Sequence, residues 1–244
     1  MQIRDAAARN LESLSRNPYP GRSIVVGMTP DGRHYVQVYW IMGRSENSRN
    51  RIFVREGDVV RTAPFDESKV KDPRLIIYNC ARVVRRAHVV SNGDQTDTVL
   101  DALARGGTFE EALATRTFEP DAPNYTARIA GLVDLDDERC ACRLAVIKSV
   151  GNRPDFCARY FFGYEAAMPG VGHCVTTYSG DGSPLPAFEG EPQPMPLPDD
   201  LDAAADLYWH ALDADNRISL LVKFIEAATG RADCRIVNKH QARA

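Results

Sequence analysis

The feature that most constrains the fold is a series of short, β-branched apolar segments separated by strong turn signals. Residues 23–28 and 34–42 have strand composition, and Thr29-Pro30-Asp31-Gly32 between them is typical of a hairpin turn. Residues 52–61 repeat the arrangement as a strand pair around Glu56-Gly57-Asp58. Because tight turns join antiparallel neighbours, this part of the chain predicts antiparallel sheet.

Helical patterns and further strands complete the predicted order of elements. Helices are expected at residues 1–17, 94–105, 108–118, 200–212 and 217–229. Asp94 is predicted to cap the second helix, and Thr108 with Glu111 forms a capping box for the third. Strands are expected at residues 75–77, 87–90, 128–134, 140–148, 158–164 and 171–178. The order predicts an α+β fold in which antiparallel sheet is covered by helices.

Charge and length exclude several classes of protein. The 244 residues suffice for one sizeable α+β domain or two small ones. Lys plus Arg total 30 against 33 for Asp plus Glu, so the chain is not a general nucleic-acid binder and any anion site is local. No apolar run reaches the ~18 residues of a membrane span. We therefore expect a cytoplasmic protein that binds neither nucleic acid nor membrane.

Metal and nucleotide motifs are missing from the sequence. The six cysteines contain no CxxC pair, and the five histidines show neither HxxxH nor HxH spacing. No GxGxxG or GxxxxGK[ST] loop occurs. We expect reduced thiols and no bound metal.

Polar residues cluster where two predicted strands end. Tyr78, Asn79 and Cys80 follow residues 75–77, and Asn92 follows residues 87–90. Strand pairing would bring the two asparagines together, where their amides could read a carboxamide or a purine edge. The alternative is that the asparagines only turn the chain and Asp94 only caps a helix.

Two other segments carry groups that could act in a site. Residues 43–51 contain Arg44, Ser45 and Arg49, which could aim two guanidinium groups and a hydroxyl at one anion, or could form a solvated basic loop. Residues 119–128 place carboxylates at a helix exit, and a stiff connection would explain them equally well.

Together these segments resemble the archaeal-type IMP cyclohydrolase family. The matching stretches, in order over residues 25–134, are VVGMTPDG, RSENSRNR, IIYNCARVV, HVVSNGDQTD and NYTARIAGLVD. The resemblance implies ring closure of 5-formamidoimidazole-4-carboxamide ribotide (FAICAR) to IMP, without a cofactor. It also implies a four-layer α-β-β-α sandwich resembling N-terminal-nucleophile hydrolases. Because the chain begins Met-Gln, no terminal nucleophile is expected and internal residues must act.

The family pattern implies roles for particular residues. Arg49, Tyr78 and Glu119 fall on catalytic positions, and a nearby arginine could lower the pKa of Tyr78. Arg44 and Ser45 are expected at the phosphate. The remaining expected contacts, to base or ribose, are Asn79, Cys80, Asn92, Asp94, Thr96 and Arg128.

Two other functions remain open from the sequence. An amidohydrolase could use Cys80 or Ser91 as an internal nucleophile, and a purine-nucleotide-binding protein could retain the pocket without catalysis. In either enzyme or binder we expect one domain over residues 1–244. Residues 1–20 would form a helical extension and the Pro/Gly-rich residues 179–198 a loop, hypothetically a lid over substrate. The resemblance also suggests a homo-oligomer that binds FAICAR, IMP or AICAR.

Overall fold

The computed structural model describes residues 2–70, 73 and 76–240, and these fold into two antiparallel sheets with five α-helices. The helices are α1 (Ile3–Arg16), α2 (Glu46–Arg49), α3 (Gln95–Ala104), α4 (Phe109–Ala114) and α5 (Leu201–Ala211). The strands are β1 (Ser23–Met28), β2 (His34–Met42), β3 (Ile52–Glu56), β4 (Val59–Ala63), β5 (Asn79–Val84), β6 (Ala87–Ser91), β7 (Arg128–Asp134), β8 (Cys142–Val150), β9 (Arg153–Tyr164), β10 (Val171–Thr176), β11 (Gln193–Pro196), β12 (Arg217–Glu226) and β13 (Ala232–Asn238).

The strands form a six-stranded sheet A and a seven-stranded sheet B. The order in sheet A is β11-β10-β1-β2-β12-β13, and the order in sheet B is β3-β4-β5-β6-β7-β8-β9. Sheet B therefore follows the chain from neighbour to neighbour, whereas sheet A joins strands that are distant in sequence. The hairpin expected at residues 23–42 is confirmed, with Val25 opposite Val38.

The core lies between the two sheets, and helices cover the outer face of each. Alternate residues such as Ile24 and Leu144 face the inner layer and are fully buried. On the outer face of sheet A, Trp40 stacks on Tyr208 of α5 with ring centroids 5.8 Å apart. On the outer face of sheet B, Phe109 of α4 packs among buried apolar residues of the sheet and α3.

The predicted α3 and α4 are confirmed, although their first turns differ in chemistry. Thr108 and Glu111 form the expected capping box at α4. Asp94 lies at the N-terminus of α3, but its side chain accepts no hydrogen bond from the helix backbone. The cap prediction for Asp94 is wrong because its carboxylate binds Arg116 and Arg128 instead.

The helix predicted at residues 217–229 is wrong. The segment forms β12, which lies between β2 and β13 in sheet A. Residues 218–225 are all buried, because one face of β12 meets the inner core and the other meets α5. A strand buried on both faces has a continuous apolar run, which also fits a helix stripe. Its partner β13 was not predicted.

Two other boundaries require correction. No strand forms at Ile76 and Ile77, and Leu75 lies outside the described residues; pairing begins at Asn79. Tyr78 and Asn79 therefore stand where a strand starts, not where one ends. The loop expected at residues 179–198 contains β11, which pairs with β10.

Candidate active site

A pocket of about 330 Å³ opens at the end of the sandwich where β1 begins and β2 ends. Its volume lies within the range of small-molecule sites. The lining residues are Tyr19, Gly21, Arg22, Met42, Arg44, Ser45, Asn47, Ser48, Arg51, Ile76, Glu119, Asp121, Asn124, Thr126, Tyr178 and Leu185. Segments far apart in sequence therefore build one polar wall.

A buried ion pair forms the centre of this wall. Arg22 donates from Nη1 and Nη2 to the two carboxylate oxygens of Glu119, each at 2.8 Å. Arg22 Nη1 also donates to the backbone oxygen of Asn92 at 3.2 Å. Burial opposes the charged form of Arg22, but the Glu119 carboxylate raises the arginine pKa well above its usual value. The pair therefore carries fixed charges of both signs at the pocket.

The turn before β1 positions Arg22. Gly21 has φ +74°, and a Cβ there would lie 2.3 Å from Thr177 Oγ1 and 2.5 Å from Tyr178 Cδ2. This close approach allows the backbone N–H of Arg22 to donate to Thr177 Oγ1 at 3.1 Å. Glycine is required at residue 21 by both its conformation and its surroundings.

Tyr78 lies behind the pocket, beside the arginines. Its hydroxyl is 2.7 Å from that of Tyr39, and both rings are buried. Burial raises the pKa of Tyr78, and the nearby Arg22 and Arg51 oppose the shift only in part. The expected lowering of this pKa is wrong in direction, because desolvation of a phenolate outweighs the two cations. Tyr78 is therefore a neutral hydroxyl donor at physiological pH.

A second hydrogen-bonded group completes the wall on the side of residues 119–128. The backbone N–H of Thr126 donates to Asp121 Oδ1 at 2.7 Å, and its hydroxyl bonds Asp121 Oδ2 and the hydroxyl of Tyr178. The backbone N–H of Glu119 donates to the oxygen of Thr126 at 2.9 Å. These bonds hold the Glu119 segment against β7.

The arginine-rich segment contributes Arg44 and Arg51 to the pocket, while Arg49 points elsewhere. Arg44 lies 4.7 Å above the ring of Tyr19 and pairs with Asp181. Arg51 donates from Nε to the oxygen of Ser48 at 2.9 Å. Arg49 donates to Asp215 O at 3.1 Å and Asn216 Oδ1 at 3.0 Å.

Ser45 caps the short α2, because its Oγ accepts from the N–H of Ser48 at 3.2 Å. Ser45, Arg44 and Glu119 are the predicted site residues that line the pocket.

Asn79 and Asn92 do not contact each other through their side chains. Asn79 donates to the carboxylate of Asp97 at 3.1 and 3.2 Å. Asn92 Nδ2 donates to Ala127 O at 2.9 Å, and its Oδ1 accepts from the N–H of Ile129 at 2.8 Å. Asn92 therefore joins the end of β6 to the start of β7.

Asp94 and Arg128 form an ion pair at the start of α3. Arg128 Nη1 donates to Asp94 Oδ1 at 2.8 Å and to Gln95 Oε1 at 2.7 Å. Burial first raises the pKa of Asp94, but Arg116 and Arg128 together bring it below its usual value. This pair is not part of the pocket lining.

The two candidate nucleophiles lack a neighbouring base. Cys80 Sγ contacts Val60 O at 3.2 Å, and burial raises the thiol pKa far above its usual value. Ser91 Oγ bonds the hydroxyl of Thr96 at 2.6 Å and donates to Gly93 O at 2.9 Å. Because these partners are a carbonyl and a threonine, nothing here activates either group.

Several lining residues were missed by sequence reasoning, chiefly Arg22, Arg51, Thr126 and Tyr178. The one available signal was Pro20-Gly21 directly before a strand, which marks a turn that places the next side chain. The pairing of Arg22 with Glu119, 97 residues away, has no counterpart in the sequence pattern.

Two searches of the described ranges gave no hits. Within residues 2–70, 73 and 76–240, no three His, Cys, Asp or Glu side chains group as a metal site. Over the same residues, no helix has the length and apolar character needed to cross a membrane.

The fold and site define an α+β protein with a polar, arginine-containing pocket between two antiparallel sheets. A sequence model of the family described as IMP cyclohydrolase-like protein matches residues 19–230, and the chain belongs to this family.

Relatives of known name are archaeal. The chain is 39% identical to the IMP cyclohydrolase of Methanopyrus kandleri over 119 residues, which are 48% of this chain and 59% of that protein. It is 31% identical to the IMP cyclohydrolase of Methanocaldococcus jannaschii over 123 residues, or 50% and 59% of the two chains. The chain thus spans less than two thirds of the length of these relatives.

Proposed function

We propose that this chain closes the second ring of the purine, converting FAICAR to IMP with loss of water in the last step of de novo purine biosynthesis. The observation that carries the proposal is the match of residues 19–230 to the IMP cyclohydrolase-like family. The pocket supports it, since its volume and its cationic wall suit a purine ribonucleotide.

The reaction requires close positioning and charge stabilisation. The carboxamide nitrogen attacks the formyl carbon, and the formyl oxygen gains negative charge before it leaves as water. Tyr78, held neutral by burial, would donate its hydroxyl proton toward that oxygen. Arg22 and Arg51, which flank Tyr78 electrostatically, would stabilise the charge that develops.

Glu119 would orient the attacking amide. Its carboxylate can accept from an amide N–H, while Arg22 fixes its position through two hydrogen bonds. Arg22 thereby acts as a positioning residue for Glu119.

The phosphate would lie at Arg44 and Ser45, where the N-terminus of α2 also meets the pocket. The predicted contacts of Asn79, Cys80, Asn92, Asp94, Thr96 and Arg128 with base or ribose stay predictions. Internal hydrogen bonds engage several of their side chains, so a nucleotide would have to displace these or bind beside them.

Which arginine acts can be decided by a matched pair of variants. With FAICAR as substrate, we expect Arg51→Ala to lower kcat/KM about a hundredfold, since one charge-assisted contact contributes roughly 1.5–3 kcal/mol. Arg49→Ala should lower it less, because its guanidinium binds the turn at residues 215–216. IMP formation is followed by absorbance.

Three outcomes separate the functions. Equal rates for the wild type and an Arg51→Ala, Tyr78→Phe double variant would rule out the cyclohydrolase. Binding of AICAR or IMP without turnover would identify a non-catalytic nucleotide-binding protein. Turnover that is lost in Cys80→Ala, with Tyr78 intact, would favour the amidohydrolase.

The remaining expectations extend the proposal. We place residues 1–244 in one domain whose two sheets and outer helices form the α-β-β-α sandwich resembling N-terminal-nucleophile hydrolases. Internal residues would catalyse the reaction without a cofactor, in a cytoplasmic homo-oligomer. Residues 179–198 would close over substrate, and unchanged protease sensitivity of this segment on adding IMP would count against that role.

A further inference from the structure

The outer edge of sheet B is formed by β9, a strand of 12 residues. The other three edge strands are shorter: β11 has four residues, β3 five and β13 seven. β11 is covered by α1, and β13 contacts β3 across the two sheets. β9 packs chiefly on β8, so its outer backbone groups form a long edge that could pair with another strand.

Large apolar side chains are exposed along this same edge. Phe156 is 53% exposed, Tyr160 46% and Phe161 37%, and the preceding Val150 is 51% exposed. Seven residues of the described chain are exposed large hydrophobics, and four of them belong to this short segment. Long, apolar edge strands usually pair with another chain.

We propose that β9 pairs antiparallel with β9 of a second copy of this chain, about a two-fold axis at Cys157. The proposal concerns a surface outside the pocket and does not depend on the proposed reaction. A two-fold axis makes the contact self-complementary, so that the residue pairs occur twice. Sheet B of each subunit would then continue into that of its partner.

Charge selects this register among the possible ones. With Cys157 on the axis, Asp155 of each copy stands opposite Arg159 of the other, and two opposite-charge pairs form. Moving the axis to residue 156 sets Arg153 opposite Arg159, and moving it to residue 159 sets Arg159 opposite itself. Moving it to residue 160 sets Asp155 opposite Glu165.

The two charges are available for such pairing. Asp155 is exposed and forms no ion pair within the described part of the chain. Arg159 donates to Arg116 O at 2.7 Å, which holds its guanidinium without neutralising it. A bulge in the β8–β9 pairing leaves residues 154–156 without partners on β8, so their backbone groups can pair with a second strand.

A charge-reversal cycle tests the interface. We expect the wild-type chain to sediment as an even multiple of 27.0 kDa. Asp155→Arg and Arg159→Asp should each raise the dissociation constant of the dimer about tenfold or more, since like charges then face each other. The double variant Asp155→Arg, Arg159→Asp restores opposite charges and should return the constant to within about threefold of wild type.

A cross-link tests the register independently. Mild oxidation should join two chains through Cys157, giving a dimer that reducing agent separates. Cys157→Ser should abolish this product, and Cys140→Ser, at another half-buried cysteine, should not. A wild type that is monomeric at every concentration would overturn the proposal. So would an oligomer whose mass is unchanged in both single reversals and which forms no Cys157 cross-link.

Discussion

At the scale of single residues, the buried Arg22–Glu119 pair determines the electrostatics of the pocket. Both side chains are almost fully withdrawn from water, and each of the two hydrogen bonds measures 2.8 Å. A bidentate arginine–carboxylate pair fixes direction as well as distance. The pair therefore gives Glu119 one orientation, which a residue that positions a weakly nucleophilic amide requires.

Removing one charge of this pair should be costly. We expect Glu119→Gln to lower the free energy of unfolding by about 3 kcal/mol, because Arg22 would be left buried without a counter-charge. The matched control is Glu56→Gln, which removes a carboxylate from the exposed Arg61 pair and should cost less than about 1 kcal/mol. Denaturant unfolding measures both, and equal losses would contradict the argument.

Tyr78 and Tyr39 share one hydrogen bond but should differ in activity. We expect Tyr78→Phe to lower kcat about a hundredfold through loss of the proton donor, with Tyr39→Phe much less affected. Both variants should lose about 1 kcal/mol of stability, since each removes the same bond.

The pH profile gives a second test of Tyr78. Burial raises its pKa, so the hydroxyl should stay protonated and the rate should show no tyrosine ionisation between about pH 7 and 10. An inflection in that range that disappears in Tyr78→Phe would refute the neutral-donor role.

At the scale of elements, the turn before β1 connects local backbone geometry to the site. Gly21 must adopt positive φ, and the adjacent β10 extension leaves no space for a side chain. A strained turn would displace Arg22 and, through it, Glu119. Stability and activity should therefore fall together when this turn is altered.

We expect Gly21→Ala to lower the free energy of unfolding by more than about 2 kcal/mol and to reduce kcat/KM, because the new Cβ meets Thr177 and Tyr178. Gly57→Ala is the control, since Gly57 also has positive φ but nothing lies within 4 Å of its Cβ position. Its cost should be about 1 kcal/mol, with unchanged kinetics. Similar losses in the two variants would show that backbone strain alone acts at residue 21.

At the scale of the whole molecule, the inner core contains a polar group at the end away from the pocket. Gln37 of β2 donates to the backbone oxygen of His88 at 2.8 Å, and the ring nitrogens of His88 have no partner in the described structure. Burial and the nearby Lys223 lower the pKa of His88 to about 3. Burial also lowers the pKa of Lys223 to about 8.

This burial predicts a pH-dependent stability. Below about pH 6.5 the unfolded chain protonates His88 while the folded chain does not, so stability falls as pH drops toward about 3. Between pH 7 and 4.5 we expect His88→Gln to lose about 2 kcal/mol less than wild type. Lys223 contributes only above about pH 8, where stability rises with pH. Identical slopes in unfolding experiments would show that His88 does not titrate as described.

Local patterns predicted the elements whose signals are local. The β1–β2 hairpin, the capping box of α4 and helix α5 depend on neighbouring residues, and the structure confirms them. Residues 217–229 were predicted wrongly, because a strand buried on both faces has no alternating pattern.

The site was predicted less completely than the fold. Arg44, Ser45 and Glu119 reach the pocket as expected. The direction of Arg49 depends on a turn at residues 215–216, and the partner of Glu119 comes from the segment before β1. Side-chain direction and long-range pairing follow from packing, which a single sequence does not display.

The sequence by itself determined the family, the α+β class and the segments that form the pocket, because these depend on residue order and on short-range turn and cap chemistry. Only the tertiary structure decided that Arg22 and Arg51 stand beside Glu119 and Tyr78, and that the phenol stays neutral. Both facts depend on burial, and burial is set by how two sheets pack residues that lie as many as 97 positions apart.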